Sequence, residues 1–377
     1  MIRLIISLIL FLLSLLVVFK APTNFLWRVS VAVTEFPYIF FLAALALLLS
    51  EYWGDKYKIP VVNICLIACI VFALPIIRTY QRGSNLDKDL SMSFPYKTIA
   101  TQMQQPFSIW KMFSGIGITP VAYKKINYKA INTENLSLDY YKAETTAKAP
   151  CIVVIHGGSW REGDSQQLPA LNYYLANRGY NVASISYRLA PKALYPAPIE
   201  DTKEALKYLR EHAAELNIDT TAFVLLGRSA GGQIALMSAY TLNDPNIKGV
   251  ISIYAPADME WGAKIKTNKW VLDTDKVMGD YLGGSVYDIP EKYKACSAPY
   301  FVSKNSTPTL MIHGENDAMV SFQHSVRLQK KLNEFQVKNY FLDLPTATHG
   351  CDYNINGPSG QITTFTIERF INSVVAK

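Results

Sequence analysis

The pentapeptide Gly227-Arg228-Ser229-Ala230-Gly231 constrains the fold more than any other stretch of this chain. It lies between the apolar run 222–226, which is typical of a buried strand, and the helix-like run 232–237. A strand that turns directly into a helix leaves no room for side chains beside the central serine, and glycine on both sides removes them. The serine hydroxyl then lies at the tip of the turn, where it can act as a nucleophile. Because Gly-x-Ser-x-Gly also occurs in turns without chemistry, the interpretation depends on the remaining residues.

The first 80 residues are almost entirely apolar, whereas charge is concentrated in the rest of the chain. Apolar runs in this segment predict membrane-spanning helices at residues 4–19, 36–52 and 59–77. We therefore expect a transmembrane helical domain over residues 1–80 and a multi-pass membrane protein whose N-terminal helices contact the lipid bilayer. A cleavable signal peptide is the alternative for the first run, because Arg3 precedes it and Ala21-Pro22 follows it. Cleavage would leave the later runs as an anchor.

The charges beside the apolar runs favour a cytoplasmic position for the C-terminal part of the chain. With the N-terminus inside, one side carries Arg3, Lys56 and Lys58, and the other carries Lys20, Arg28, Arg78, Arg82 and Lys88. The net charge is +7, but no basic stripe with interleaved aromatic residues indicates nucleic-acid binding. Beyond Cys65 and Cys69 in the third run, an odd number of cysteines remains, without disulfide or metal-ligand spacing.

Residues 81–120 are interpreted as a juxtamembrane connector, with a short helix around 107–113, and residues 121–377 as a soluble α/β domain. Alternating patterns predict an antiparallel strand pair at a sheet edge, at 123–131 and 136–141. Short apolar strands are predicted at 151–155, 182–187, 223–226, 250–254, 309–312 and 340–344. Helices are predicted between and after them at 168–177, 199–216, 232–240, 323–335 and 363–375. This alternation predicts a mainly parallel sheet covered by helices on both faces, with chemistry at the C-terminal ends of its strands.

The loop after strand 151–155 reads His156-Gly157-Gly158-Ser159-Trp160. Consecutive glycines at a strand end expose backbone N–H groups, as an oxyanion hole requires. We expect Gly157, Gly158 and Ala230 to donate these N–H groups, although a plain Gly-Gly turn is the alternative. Trp160, beside this loop, is expected to line the acyl pocket.

His349 follows the last predicted strand and is the predicted general base that removes the Ser229 proton. His313 also follows a strand, but it precedes a turn that offers Asp317. Asp317 is the predicted acid, since it gives the order Ser, Asp, His along the chain. Asp258, which follows the strand 250–254, is the second candidate for the acid.

With these residues assigned, the chain resembles the α/β-hydrolase superfamily over residues from about 120 to 375. Within it, the chain is similar to the esterase/lipase branch that groups hormone-sensitive-lipase-like enzymes with BD-FAE-like esterases. The resemblance rests on five stretches: 156–160, 186–191, 195–198 with Asp201, 227–232 and 313–324. It implies a serine carboxylic-ester hydrolase without metal or organic cofactor, in which Ser229, Asp317 and His349 form the triad. It also implies that 187–191 and Asp201 brace the sheet.

The expected reaction forms an acyl-enzyme on Ser229 from a small-molecule or lipid ester and then hydrolyses it. Transfer of the acyl group to an acceptor other than water, or a non-catalytic binding module with this fold, are the alternatives. The long segment 259–300 contains Trp261, Trp270, Tyr281, Tyr287 and Tyr293. These residues fit a lid or pocket wall as well as an ordinary loop packed on the domain.

Overall fold

The computed structural model describes residues 1–50, 57–95, 105–131 and 134–375. Within them, eight strands form one sheet in the order β1-β2-β4-β3-β5-β6-β7-β8. The strands are β1 (Tyr123–Ile131), β2 (Glu134–Tyr141), β3 (Ala149–Ile155), β4 (Asn181–Ile185), β5 (Ile218–Arg228), β6 (Ile247–Ile253), β7 (Thr309–Gly314) and β8 (Asn339–Leu344). β1 and β2 form an antiparallel pair at one edge, and β3 to β8 run parallel to one another. The mainly parallel α/β sheet is thereby confirmed.

The parallel strands form because their sequences are apolar on both faces. Every residue of β4 and β7 is buried, and so are seven consecutive residues at the end of β5. Strands with no polar face need helices on both sides of the sheet. The structure accordingly contains two large apolar clusters, one on each face.

The helices of the sheet region are α7 (Ala170–Asn177), α8 (Ala197–Glu211), α9 (Ala213–Leu216), α10 (Ala230–Thr241), α14 (Gln323–Glu334) and α15 (Pro358–Val375). Their positions follow the predicted pattern, except that the helix expected at 199–216 is interrupted at His212. Segment 259–300 contains α11 (Met259–Gly262), α12 (Thr274–Leu282), α13 (Pro290–Ala295) and a 3-10 helix (Ala298–Phe301).

The N-terminal part contains α1 (Ile2–Val18), α2 (Asn24–Glu35), α3 (Pro37–Leu49) and α4 (Lys58–Ser84). Three predicted spans are not supported, because among the helices that the structure describes only α4 is by itself long and apolar enough to cross a membrane. The span expected at 36–52 corresponds to α3, which has 13 residues and is too short to cross a membrane by itself. The axes of α2 and α3 are bent by 82° relative to each other, so these two helices would form a second span only as a broken pair. Pro37 causes the break because the residue before a proline is disfavoured in the helical region, and Phe36 is non-helical. Residues 51 and 52 of this predicted span lie outside the described residues.

Helical structure continues past the predicted boundary at residue 80. α4 ends at Ser84, and α5 (Leu86–Ser93) follows it, so the first part of the expected connector is helical. Salt bridges join both helices to the α/β domain: Arg82 Nε lies 2.9 Å from Asp343 Oδ1, and Arg369 Nε lies 2.9 Å from Asp87 Oδ1. The short helix expected at 107–113 is α6 (Lys111–Ser114).

Candidate active site

Ser229 occupies the sharp turn between β5 and α10, which begins at Ala230. Its φ of 51° and ψ of −120° are disfavoured for a residue with a side chain. The flanking glycines explain how the turn is possible. A Cβ on Gly227 would lie 2.0 Å from the carbonyl oxygen of Gly231, and a Cβ on Gly231 would lie 2.2 Å from that of Ile155.

The structure brings Ser229, His349 and Asp317 into one hydrogen-bonded chain. His349 Nε2 lies 3.0 Å from Ser229 Oγ, and His349 Nδ1 lies 2.7 Å from Asp317 Oδ2. Asp317 follows β7 and His349 follows β8, so both are delivered by loops at the C-terminal edge of the sheet. Because a carboxylate only accepts hydrogen bonds, Nδ1 carries the proton and Nε2 is free to accept the proton of the serine.

The carboxylate of Asp317 is fully buried and satisfied by several donors. Its Oδ1 accepts hydrogen bonds from the backbone N–H of Met319 (2.8 Å) and of Val320 (2.9 Å). Its Oδ2 lies 3.2 Å from His313 Nε2, in addition to the contact with His349. Burial alone would raise the pKa of Asp317, but the charge of His349 and the hydrogen bonds from His313 and His349 lower it well below its ordinary value. Asp317 is therefore ionised throughout the neutral range.

The second candidate for the acid lies elsewhere. Asp258 Oδ1 accepts the N–H of Trp261 at the start of α11, and Oδ2 is 2.8 Å from Arg327 Nη2. Its carboxylate therefore has partners other than the imidazole of His349. His313, set aside as a base in the sequence, instead supports Asp317, with its Nδ1 2.8 Å from Ser325 Oγ.

A buried ion pair that the sequence did not reveal joins the serine turn to the histidine loop. Arg228 Nε donates to Asp352 Oδ2, and both side chains are almost fully buried. Tyr254 donates its hydroxyl to Asp352 Oδ1 at 2.5 Å, and its ring centroid lies 4.4 Å from that of His349. Local sequence carries no signal for this pair, since the two charges are 124 residues apart.

The expected oxyanion donors differ in availability. Gly157 lies against Ser229, because a Cβ on it would be 3.3 Å from the serine Cβ, but its N–H donates to Gln167 Oε1 at 2.7 Å. Among the described residues, no hydrogen-bond acceptor is found for the backbone N–H of Gly158 or of Ala230. These two groups are therefore free to bind an oxyanion.

A narrow cavity of about 40 Å³ opens beside Ser229 and Ala230. Trp160 lines it, stacks on Tyr281 at a centroid distance of 4.4 Å, and donates its indole N–H to Gln233. Segment 259–300 supplies most of the remaining wall: Gly262, Ile265, Thr267, Leu272, Thr274, Val277 and Met278. The segment therefore forms a pocket wall and also packs on the domain, since Tyr281 and Tyr293 belong to its apolar core.

His324 also lines the cavity and is buried. Its Nδ1 accepts the backbone N–H of Asp258 at 3.2 Å. Burial, together with the charge of His313, lowers the pKa of His324 to about 3, so its ring is neutral at neutral pH. Among the described residues, no group of three or more His, Cys, Asp or Glu side chains could hold a metal ion.

Comparison with known proteins identifies the family. A family model described as BD-FAE matches residues 138–332, just over half of the chain. Esterase LipC of Mycobacterium tuberculosis is 27% identical over 243 residues, which cover 61% of this chain and 59% of LipC. The probable carboxylic ester hydrolase LipM of the same organism is 23% identical over 385 residues, covering 93% of this chain and 86% of LipM. The chain thus spans less than two thirds of LipC, and its alignment with LipM extends into the N-terminal helices.

A solved structure shows the same fold. The hyperthermophilic esterase from the archaeon Pyrobaculum calidifontis superposes with a TM-score of 0.60 at 20% identity, over 68% of this chain and 88% of that chain. The expectation of a carboxylic-ester hydrolase is confirmed by the esterase relatives. The chain belongs to the BD-FAE family of α/β-hydrolases.

Proposed function

We propose that this protein is a membrane-anchored serine esterase in which Ser229 is the nucleophile, His349 the general base and Asp317 the acid that orients it. The observation that carries the proposal is the continuous hydrogen-bonded chain from Ser229 Oγ through both ring nitrogens of His349 to a buried, ionised carboxylate. Such a chain is the arrangement that activates a serine hydroxyl at neutral pH. The esterase names of LipC and LipM support ester hydrolysis.

In the proposed cycle, Ser229 Oγ attacks the ester carbonyl as its proton moves to His349 Nε2. The N–H groups of Gly158 and Ala230 stabilise the resulting oxyanion, and Gly157 joins them when its N–H is released from Gln167. His349 then protonates the leaving alcohol, which leaves an acyl group on Ser229. Water, deprotonated by the same imidazole, releases the acid and restores the hydroxyl.

The size of the cavity favours a short acyl group. The cavity of about 40 Å³ is only a few times larger than the roughly 10–15 Å³ that a cavity needs to hold one water molecule. A long acyl chain would therefore require its walls to move. We propose short-chain esters as substrates, with Trp160 in the pocket wall.

The N-terminal helices support anchorage in a bilayer. α1, α3 and α4 share an apolar cluster, and they also expose large aliphatic side chains that no part of the described structure covers. Examples are Ile2 (71% exposed), Leu12 (61%), Ile59 (74%) and Ile70 (66%). Lipid chains would cover these side chains, which would otherwise be exposed to water.

The nucleophile is tested by labelling membranes that contain the full chain with a fluorophosphonate probe. The wild-type protein should be labelled, whereas Ser229→Ala and His349→Ala should not. Ser285→Ala, at an exposed serine in segment 259–300, is the matched control and should label as wild type does. Labelling of folded Ser229→Ala at the wild-type rate would contradict the assignment.

Anchorage is tested on the same membranes. The full chain should stay in the pellet after an alkaline carbonate wash and should be released by detergent, because apolar helices are held by lipid and not by charge. Release by carbonate alone would contradict anchorage without affecting the test of the nucleophile.

A further inference from the structure

A hydrogen bond links the N-terminal helices directly to the catalytic histidine. Trp27, in the first half of α2, donates its indole N–H to the backbone carbonyl of His349 at 2.9 Å. The indole and imidazole centroids are 6.3 Å apart. The residues are 322 positions apart in the chain, so this contact exists only because α2 lies against the α/β domain.

The loop that carries the acid is held by the same helices. Asn316, which precedes Asp317, donates its side-chain amide to the carbonyl groups at the end of α1, 3.3 Å from Leu16 O and 3.2 Å from Phe19 O. These carbonyls are among those that a helix end leaves without an intrahelical partner. Both loops that complete the triad therefore rest on α1 and α2.

α2 is itself fixed at both ends, so it can act as a support. At its start, Asn24 donates its backbone N–H to Trp270 O (2.8 Å) and its side-chain amide to Val271 O (3.1 Å). At its end, Asn354 donates its side-chain amide to the carbonyl of Glu35 at 2.9 Å. Asn354 belongs to the loop that carries His349.

The His349 loop is also held by the buried pair of Arg228 and Asp352. It therefore has one support inside the α/β domain and one in the N-terminal helices. A catalytic group must be held to within a fraction of an ångström, and a displacement of about 1 Å can reduce the rate about 100-fold. Loss of one support is expected to affect the rate of the chemical step before it affects the fold.

We propose that the N-terminal helices complete the catalytic centre of this esterase, with Trp27 and Asn316 as positioning residues for the loops of His349 and Asp317. The inference rests on the proposed function, because it assigns these residues an effect on the serine-histidine chemistry. It gives the N-terminal helices a role beyond anchorage.

The test uses the full-length protein in detergent and compares Trp27→Phe with wild type. Phenylalanine keeps an aromatic ring at this position but removes the N–H donor. Active sites are titrated with the fluorophosphonate, and kcat and KM for a p-nitrophenyl acetate are then expressed per titrated site. We expect kcat per site to fall about 10- to 100-fold, while KM stays within about twofold. Trp110→Phe, the same change at a side chain that is 73% exposed, is the control and should leave both parameters unchanged.

A merely structural role predicts a different result, namely fewer titratable sites and a lower melting temperature, with kcat per site unchanged. That result, or a kcat per site within about twofold of wild type, would overturn the inference. If Trp27→Phe does not fold, Asn316→Ser provides the second test, since it removes the amide donor to α1 and should also lower kcat per site. A wild-type protein that does not react with the probe would overturn the proposed function itself, which is a separate outcome.

Discussion

Replacement of Asp317 by asparagine tests the proposed chemistry most directly, because the structure determines how the new side chain is oriented. Oδ1 accepts the N–H groups of Met319 and Val320, so the amide oxygen must occupy that position. The amide NH₂ then occupies the position of Oδ2 and points at His349 Nδ1, which lies 2.7 Å from Oδ2 in the wild-type protein. A donor there forces Nδ1 to accept, so the proton moves to Nε2.

With a proton on Nε2, His349 can no longer accept the proton of Ser229. In another serine hydrolase this wrong tautomer lowers kcat about 10⁴-fold, and we expect a loss of the same order here. Each tenfold loss corresponds to about 1.4 kcal/mol, so the change removes about 5.5 kcal/mol of transition-state stabilisation. The fold should persist, because the hydrogen bonds from Met319 and Val320 are retained.

The assay is hydrolysis of p-nitrophenyl acetate by the purified full-length variant, with circular dichroism to verify folding. Asp258→Asn is the matched control, since it makes the same chemical change at the second candidate for the acid. Asp258 pairs with Arg327, so this variant should keep kcat within about tenfold of wild type. If folded Asp317→Asn retained more than about one hundredth of the activity, or if Asp258→Asn lost as much, the assignment of the acid would be refuted.

Two further predictions concern the pocket and acid stability. Trp160→Ala should move the optimum of kcat/KM from acetyl towards longer acyl esters, because Trp160 lines the cavity of about 40 Å³. The measurement is kcat/KM for a series of p-nitrophenyl esters of increasing acyl length. An unchanged dependence of kcat/KM on acyl length would contradict this pocket assignment. Burial lowers the pKa of His156 to about 4 and of His324 to about 3, below the ordinary 6.5, so the unfolded chain takes up protons at a higher pH than the folded protein does. The two neutral histidines contribute their full stabilisation above pH 6.5, and this contribution is lost as the pH falls. At pH 5 the loss in the free energy of unfolding is about 2 kcal/mol for each histidine. An equal melting temperature at pH 7.5 and at pH 5 would disprove this prediction.

The location of the strands and of the serine turn follows from local sequence. Continuous apolar runs have to be buried on both faces, which predicts a parallel sheet with helices on either side. Glycine at position 227 is required by a contact only four residues away, with Gly231, whereas glycine at position 231 is required by the close approach of the backbone at Ile155 and His156. Asp317 and His349 were predicted as site residues because each lies in a loop that follows a strand of this sheet, and such loops meet at one edge.

The N-terminal helices show where local pattern fails. The apolar composition of residues 36–52 satisfies a hydropathy criterion, yet Pro37 ends one helix and begins another in a new direction. Hydropathy measures composition over a window and does not record the angle between consecutive helices. The number of spans was therefore wrong although the apolar runs themselves were correctly identified.

The fold class and the order of the candidate triad along the chain could be read from local sequence, because they depend on periodicity, glycine spacing and position after strands. The distant groups that contact the candidate triad became visible in the folded chain alone: the pair of Arg228 with Asp352, His313 beside Asp317, and Trp27 on the carbonyl of His349. Residues that are far apart in the chain leave no periodic pattern in the sequence that would pair them. Such contacts arise when elements pack, and packing depends on the shape of the whole molecule.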